Sequence, residues 1–147
     1  LRPLYYEDVE VGARFIVPGR SVTEADVLGF ATVSGDLHPI HTDAAYAATT
    51  EFGQRIAHGP FGIAIAIGLF GRIPEFTTTA VAMLSVSEWK FRAPVFIGDT
   101  LRLEMIVAGK RLTTSGRGII DRHMKLVKQD DTLVQEGNSE LLIARQP

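Results

Sequence analysis

Phe61–Gly71 reads FGIAIAIGLFG, a run without one charged or hydrogen-bonding side chain. It is about half the roughly 20 residues that cross a bilayer, so it reads as a buried core helix. Pro60, just before it, fits the first helical position, where a missing N–H costs nothing; Gly59 fits the residue before that. A helix apolar on every face has no side to give to water. It must be wrapped by other structure over most of its circumference.

The wrapping material lies downstream. After Pro74 the apolar period changes to two. TAVAMLSVSEWKFRAPV puts Met83, Trp89, Phe91 and Val95 on one face, and TLRLEMIVAGK alternates Leu101, Leu103, Met105 and Val107 against Arg102 and Glu104. GIIDRHMKLVKQ follows, Gln129–Asp131 makes a turn, and TLVQEGNSELLIA closes the sequence. Four long strands joined by short turns predict an antiparallel meander. One apolar helix and such a sheet predict an α+β domain with the sheet curled around the helix. Upstream, Thr23 and Asp26 match a capping box that opens a helix carrying Val27, Phe30 and Ala31 at helical spacing. Asp43–Thr50 forms a second, short helix.

At 147 residues the sequence is the size of one domain, spanning 1–147. A net charge of −2 with no run of like charges argues against nucleic acid or an anionic membrane as partner. The absence of cysteine removes disulfides and a thiolate nucleophile, and fits a reducing cytoplasm. No secretory signal opens the sequence, which begins at Leu1 rather than Met and so leaves room for an upstream segment. Neither a glycine-rich nucleotide loop nor a G-x-S-x-G elbow is present.

The densest group of titratable residues is SGDLHPIHTDAAYA, Ser34–Ala47. Three readings fit it. The residues suit an ordinary polar loop between helices. Asp36, His38 and His41 could ligate Zn²⁺ or Fe²⁺, although no cysteine joins them and neither His58 nor His123 stands at a recognised ligand spacing. Finally, Asp36 and His41, set by Gly35 before the Asp and Pro39 between them, could converge on one water or substrate proton. That chemistry needs something to hold negative charge. His58-Gly59-Pro60 supplies it as a glycine N–H at a helix start, where donors are unpaired and the dipole favours an anion.

The segments ATVSGDLHPIHTDAAYA, FGQRIAHGPFG and KFRAPVFIGDTL together resemble the MaoC-like dehydratases, the (R)-specific enoyl-CoA hydratase family. That family carries a G-D-x-N-P-(apolar)-H signature, an H-G helix start and a strand ending in P-V-x-x-G-D. The resemblance runs from about Tyr6 to Leu142. It implies the hot-dog fold, a long helix wrapped by a curved antiparallel sheet, paired as a homodimer or higher homo-oligomer. It implies addition of water to a trans-2-enoyl-CoA thioester to give a (3R)-3-hydroxyacyl-CoA, with Asp36 and His41 catalytic and the Gly59 N–H on the thioester oxygen. Coenzyme A is then part of the substrate, and no metal or separate cofactor is expected. One position departs from the signature: His38 stands where the family has Asn.

By fold analogy the acyl tunnel is lined by Phe30, Tyr46 and Phe52, with His38 a further substrate-binding candidate. Trp89 and Phe91 read as core, His58 as a packing or hydrogen-bonding residue, and His123 as a surface or interface residue. Lys90, Arg92, Arg111 and Arg117 are candidates for the phosphates of coenzyme A. Two other readings stay open: an acyl-CoA thioesterase of the same fold, and a non-catalytic acyl-CoA-binding or partner subunit.

Overall fold

The computed structural model describes residues 1–147. In chain order the elements are β1 (Arg14–Ser21), α1 (Glu24–Ser34), α2 (Pro39–Thr42), α3 (Ala44–Ala48), α4 (Gly59–Phe70), a 3-10 turn (Pro74–Phe76), β2 (Ala80–Met83), β3 (Ser87–Phe91), β4 (Thr100–Leu112), β5 (Gly118–Lys128) and β6 (Leu133–Ile143). One antiparallel sheet runs β1-β4-β5-β6-β2, with β3 also pairing β6. The meander β4-β5-β6 is its centre, and α4 packs against β1, β4 and β5.

The period-two pattern places the core as expected. Leu101, Leu103, Met105 and Val107 are buried, and the Arg102 and Glu104 side chains between them are partly exposed. Across the ladder Leu103 pairs with Leu126 and Met105 with Met124, so one face presents a continuous apolar floor. Phe61, Ile65, Ala66, Leu69 and Phe70 of α4 join them in one cluster. Truncating a side chain as enclosed as Leu69 costs about 2–5 kcal/mol.

α4 is less fully wrapped than its composition predicts. Pro60, Ala64 and Gly68 form an exposed stripe, with Ile63 and Ile67 half-buried beside it. The helix also starts one residue earlier than the proline pattern predicts: His58 is the N-cap, Gly59 the first helical residue and Pro60 the second. The Thr23–Asp26 capping box forms as predicted, with both reciprocal bonds present.

The run from Thr79 to Val95 is not one strand. Leu84–Val86 separate β2 from β3, and Glu88 takes φ = 53° where the register against β6 shifts. The single apolar face is broken accordingly. Val95 is buried and Trp89 packs half-buried against the core, but Met83 and Phe91 are exposed. Phe91 lies over Gly59, which has no side chain to cover it.

A buried ion pair fixes the loop between β3 and β4. Lys128 Nζ donates to Asp99 Oδ2 at 3.1 Å and to the Pro94 carbonyl at 3.1 Å. The Gln129 amide and the Phe96 N–H also donate to the Asp99 carboxylate. Burial alone would raise the Asp99 pKa; these donors outweigh it and hold the carboxyl below its ordinary value. Its stabilising contribution is therefore present at neutral pH and is lost as pH falls through the depressed value. Asp99→Ala leaves Lys128 in the interior without its ion-pair partner, so it should cost about 3–5 kcal/mol in urea unfolding. Adding Lys128→Met should restore part of that loss.

Candidate active site

The segment after α1 is shaped by a series of local bonds. Gly35, at φ = 76°, ends the helix in the left-handed region and donates to the Ala31 carbonyl. The Asp36 N–H then donates to Ser34 Oγ, and Asp36 Oδ1 accepts the His38 N–H at 3.2 Å. His38 Nδ1 accepts the Ile40 N–H at 3.1 Å and so caps α2. A side-chain oxygen is the usual acceptor at such a cap; here an imidazole nitrogen does the same work. α2 is one turn long, and it brings His41 back to Asp36.

The two side chains face each other with Asp36 Oδ2 3.8 Å from His41 Nε2. That is too long for a direct hydrogen bond and short enough for one water lying to the side to touch both. His41 is buried, and the Asp36 side chain is half exposed. His41 Nδ1 lies 2.7 Å from the Ile56 carbonyl. A carbonyl only accepts, so the proton sits on Nδ1 and the Nε2 lone pair faces Asp36. Burial is the largest influence on His41 and lowers its pKa. The Ile56 bond and the Asp36 charge raise it, His58 and His38 lower it, and the net position is below the ordinary imidazole value.

His58 completes the cluster from the start of α4. Its ring stacks on that of His41 at 3.6 Å between centroids and 21° between planes, with Phe30 on it at 5.0 Å. Its Nε2 lies 2.9 Å from the Asp36 backbone carbonyl. The next residue, Gly59, has an N–H that donates to nothing within the chain. The Gly59 carbonyl is held by Gln135 Nε2 at 3.1 Å, and Trp89 Nε1–H donates to Gln135 Oε1 at 3.0 Å. A Cβ on Gly62 would fall 2.2 Å from the Gln135 amide, so that glycine lets the amide reach the helix.

The expected acyl-tunnel residues do not line one channel. Phe52 lines a hollow of about 330 Å³ with Gly59, Phe91, Arg92 and Gln135. Phe30 lines a separate, shallower groove between α1 and α4 with Val33, Phe61 and Ala64. Tyr46 belongs to neither; it is 42% exposed, edge-on to His38. Phe91, expected in the core, instead walls the hollow beside Gly59, because the break between β2 and β3 moves it past the edge of the core. Of the four expected phosphate partners only Arg92 borders that hollow, paired with Glu136, while Arg111 pairs with Glu140. His123 sits half-buried on β5, bonded to Asn138 and Glu136.

Asp36, His41 and His58 bring ligand-type atoms within 4.8 Å of one another. His38, the third member of the metal reading, is outside that group and its Nδ1 already caps α2. Stacked imidazoles keep their lone pairs in nearly parallel planes, so one ion cannot lie in both ring planes at about 2.0–2.1 Å. The arrangement suits a water and proton transfer better than a metal.

Fold comparison places the chain among hot-dog proteins. It superposes with a TM-score of 0.87 on a double hot-dog protein from Mycobacterium tuberculosis, covering 99% of this chain and 45% of that one at 21% identity. Residues 9–135 match the MaoC like domain model, and the chain belongs to the MaoC-like hydratase/dehydratase family. A 3-hydroxybutyryl-CoA dehydratase of Methylorubrum extorquens is 39% identical over 109 residues, 74% of this chain and 66% of that protein. An (R)-specific enoyl-CoA hydratase of Rhodospirillum rubrum is 35% identical over 106 residues, 71% of this chain and 70% of that protein. Among solved structures, a monoamine oxidase regulatory protein from Archaeoglobus has a TM-score of 0.91 at 29% identity, covering 100% of this chain and 98% of that one. An unliganded R-hydratase from Pseudomonas aeruginosa has a TM-score of 0.80 at 31% identity, covering 98% and 88%. The chain spans about two thirds of the length of the first curated relative.

The surroundings of His41 set the direction of its titration. In imidazole NMR of the intact protein, His41 should protonate with a midpoint below the ordinary value of about 6.5. Asp36→Asn removes a charge that favours the imidazolium and should lower that midpoint further; an unchanged midpoint would separate the two side chains electrically.

Proposed function

We propose that the protein is an (R)-type enoyl-thioester hydratase, running reversibly as a 3-hydroxyacyl-CoA dehydratase. The observation that carries this reading is the pairing of Asp36 and a neutral, buried His41 at 3.8 Å beside a helix whose first N–H is unclaimed. Family membership and the names of the relatives support the same reaction class.

In this reading a water lies between Asp36 Oδ2 and His41 Nε2. His41 takes a proton from the water as its oxygen bonds to C3 of the enoyl thioester. The electron pair of the double bond moves toward the thioester, and the Gly59 N–H holds the oxygen on which negative charge develops. The imidazolium passes that proton to the Asp36 carboxylate, and Asp36 delivers it to C2. One O–H bond of water is broken, a C3–O and a C2–H bond are formed, and both side chains end as they began. A general acid or base of this kind contributes about 10²–10⁴-fold, and one oxyanion donor about 2.7–4 kcal/mol. No cofactor enters this scheme, and coenzyme A belongs to the substrate. The hollow at Gly59, walled by Phe52 and Phe91, is the proposed path of the thioester arm.

The edge strands also support a homodimer. Val81, Met83, Leu84 and Val86 are exposed along the β2–β3 margin of the sheet, an apolar edge that a second copy would cover. Sedimentation should show a species of about twice the 16.1 kDa chain mass.

The deciding experiment follows loss of conjugated enoyl-thioester absorbance across a panel of trans-2-enoyl-CoAs, with chiral analysis of the product. A (3R)-3-hydroxyacyl product is expected. Asp36→Asn and His41→Ala should each lower kcat by at least about 100-fold with little change in Tm. Full activity in either variant overturns the assignment, and thiol release from saturated acyl-CoA without hydration would make the protein a thioesterase.

A further inference from the structure

We propose that His58 is a positioning residue for the proton transfer, locking the backbone that carries Asp36 to the helix start that carries Gly59 while clamping the His41 ring. The inference rests on the hydratase reading and adds a role for a residue that the scheme above leaves unused.

Three observations carry it. First, His58 is 3% exposed and its Nδ1 has no hydrogen-bond partner. A buried polar atom without a partner costs folding energy, and a phenylalanine there would fill similar space without that cost. Filling space therefore does not explain the imidazole. Second, the tautomer is fixed by geometry. The partner of Nε2 is the Asp36 carbonyl at 2.9 Å, which only accepts, so Nε2 carries the proton and Nδ1 is the bare lone pair. Through that bond the turn holding one reactive group is tied to the N-cap of α4, whose next N–H is the oxyanion donor. Third, the ring lies flat on His41 at 3.6 Å, while His41 Nδ1 is bound to the Ile56 carbonyl. The His41 plane is held from its face by His58 and from its edge by Ile56, leaving Nε2 no direction but toward Asp36. Sub-ångström control of this kind is what separates an assembled site from a loose one.

The groups facing His41 are Asp36 from the turn after α1, His38 from the cap of α2 and His58 from the cap of α4. Removing the His58 imidazole therefore loosens the site on two sides: the tie from α4 to the Asp36 backbone is lost, and so is the flat contact on the His41 ring.

The test uses His58→Phe, which keeps a flat ring and loses the donor, and His58→Gln, which keeps an N–H donor and loses the ring. Steady-state hydration, Tm and imidazole ¹⁵N NMR are measured on the full chain. For wild type, NMR should report His58 protonated at Nε2 only. His58→Phe should lower kcat by about 10–100-fold, leave KM within about twofold and change Tm little. His58→Gln should recover part of kcat. Wild-type kcat in His58→Phe would overturn the role, as would a fall in Tm that accounts for the lost activity, or equal loss in both variants. If wild type hydrates no enoyl-CoA, the reaction assignment fails by itself. The NMR tautomer of His58 still decides whether the tie to the Asp36 carbonyl exists.

Discussion

Everything in this molecule follows from the need to hide α4. Its side chains offer no polar face, so the sheet must bend around it, and the long central strands β4, β5 and β6 supply the curved surface. The same burial creates the site. A helix cannot use its own first N–H groups, and a helix set inside a sheet presents those donors at the rim of the enclosure. Gly59 stands there with its N–H unclaimed. The element that anchors the core thus also begins with an N–H that has no acceptor in the chain.

The polar side of the site is held by a relay that begins far from it. Lys128 and Asp99 form a buried pair, and Lys128 also grips the Pro94 carbonyl. Val95 next door accepts the Ala57 N–H, and Ile56 bridges to Phe96. Ile56 in turn accepts from His41, and His58 begins the helix. A second relay, Trp89 to Gln135 to the Gly59 carbonyl, ties the helix start to β6 and β3. Neither Asp36 nor His41 is held by its own loop alone.

Much of this was legible in the sequence. Alternation of Leu101, Leu103, Met105 and Val107 is a direct record of a half-buried strand, and Thr23 with Asp26 records a helix start, because both patterns reflect contacts within a few residues. Asp36 and His41 were legible for the same reason: one helical turn and a glycine bring them together. The contacts that the sequence did not show join distant segments. Gln135 reaches Gly59 from 76 positions away, and His58 meets Asp36 from 22. Gly62, a small residue inside an apolar helix, was the one local sign of close approach. The break at Leu84–Val86 escaped because alternation continues across it, while the backbone at Glu88 changes which face Phe91 reaches.

The order of strands has a consequence for how the chain comes together. β4, β5 and β6 are consecutive and joined by short turns, so they can pair early at small cost in loop entropy. β1 must return from about 90 positions away to reach β4, Arg14 opposite Ile106, and everything from α1 to β3 lies inside that excursion. Asp36, His41 and Gly59 are all inside it. These three residues therefore belong to the part of the chain enclosed by its longest sheet-closing loop. The meander can form on contacts close in sequence, but Asp36, His41 and Gly59 take their places only when the long loop has closed.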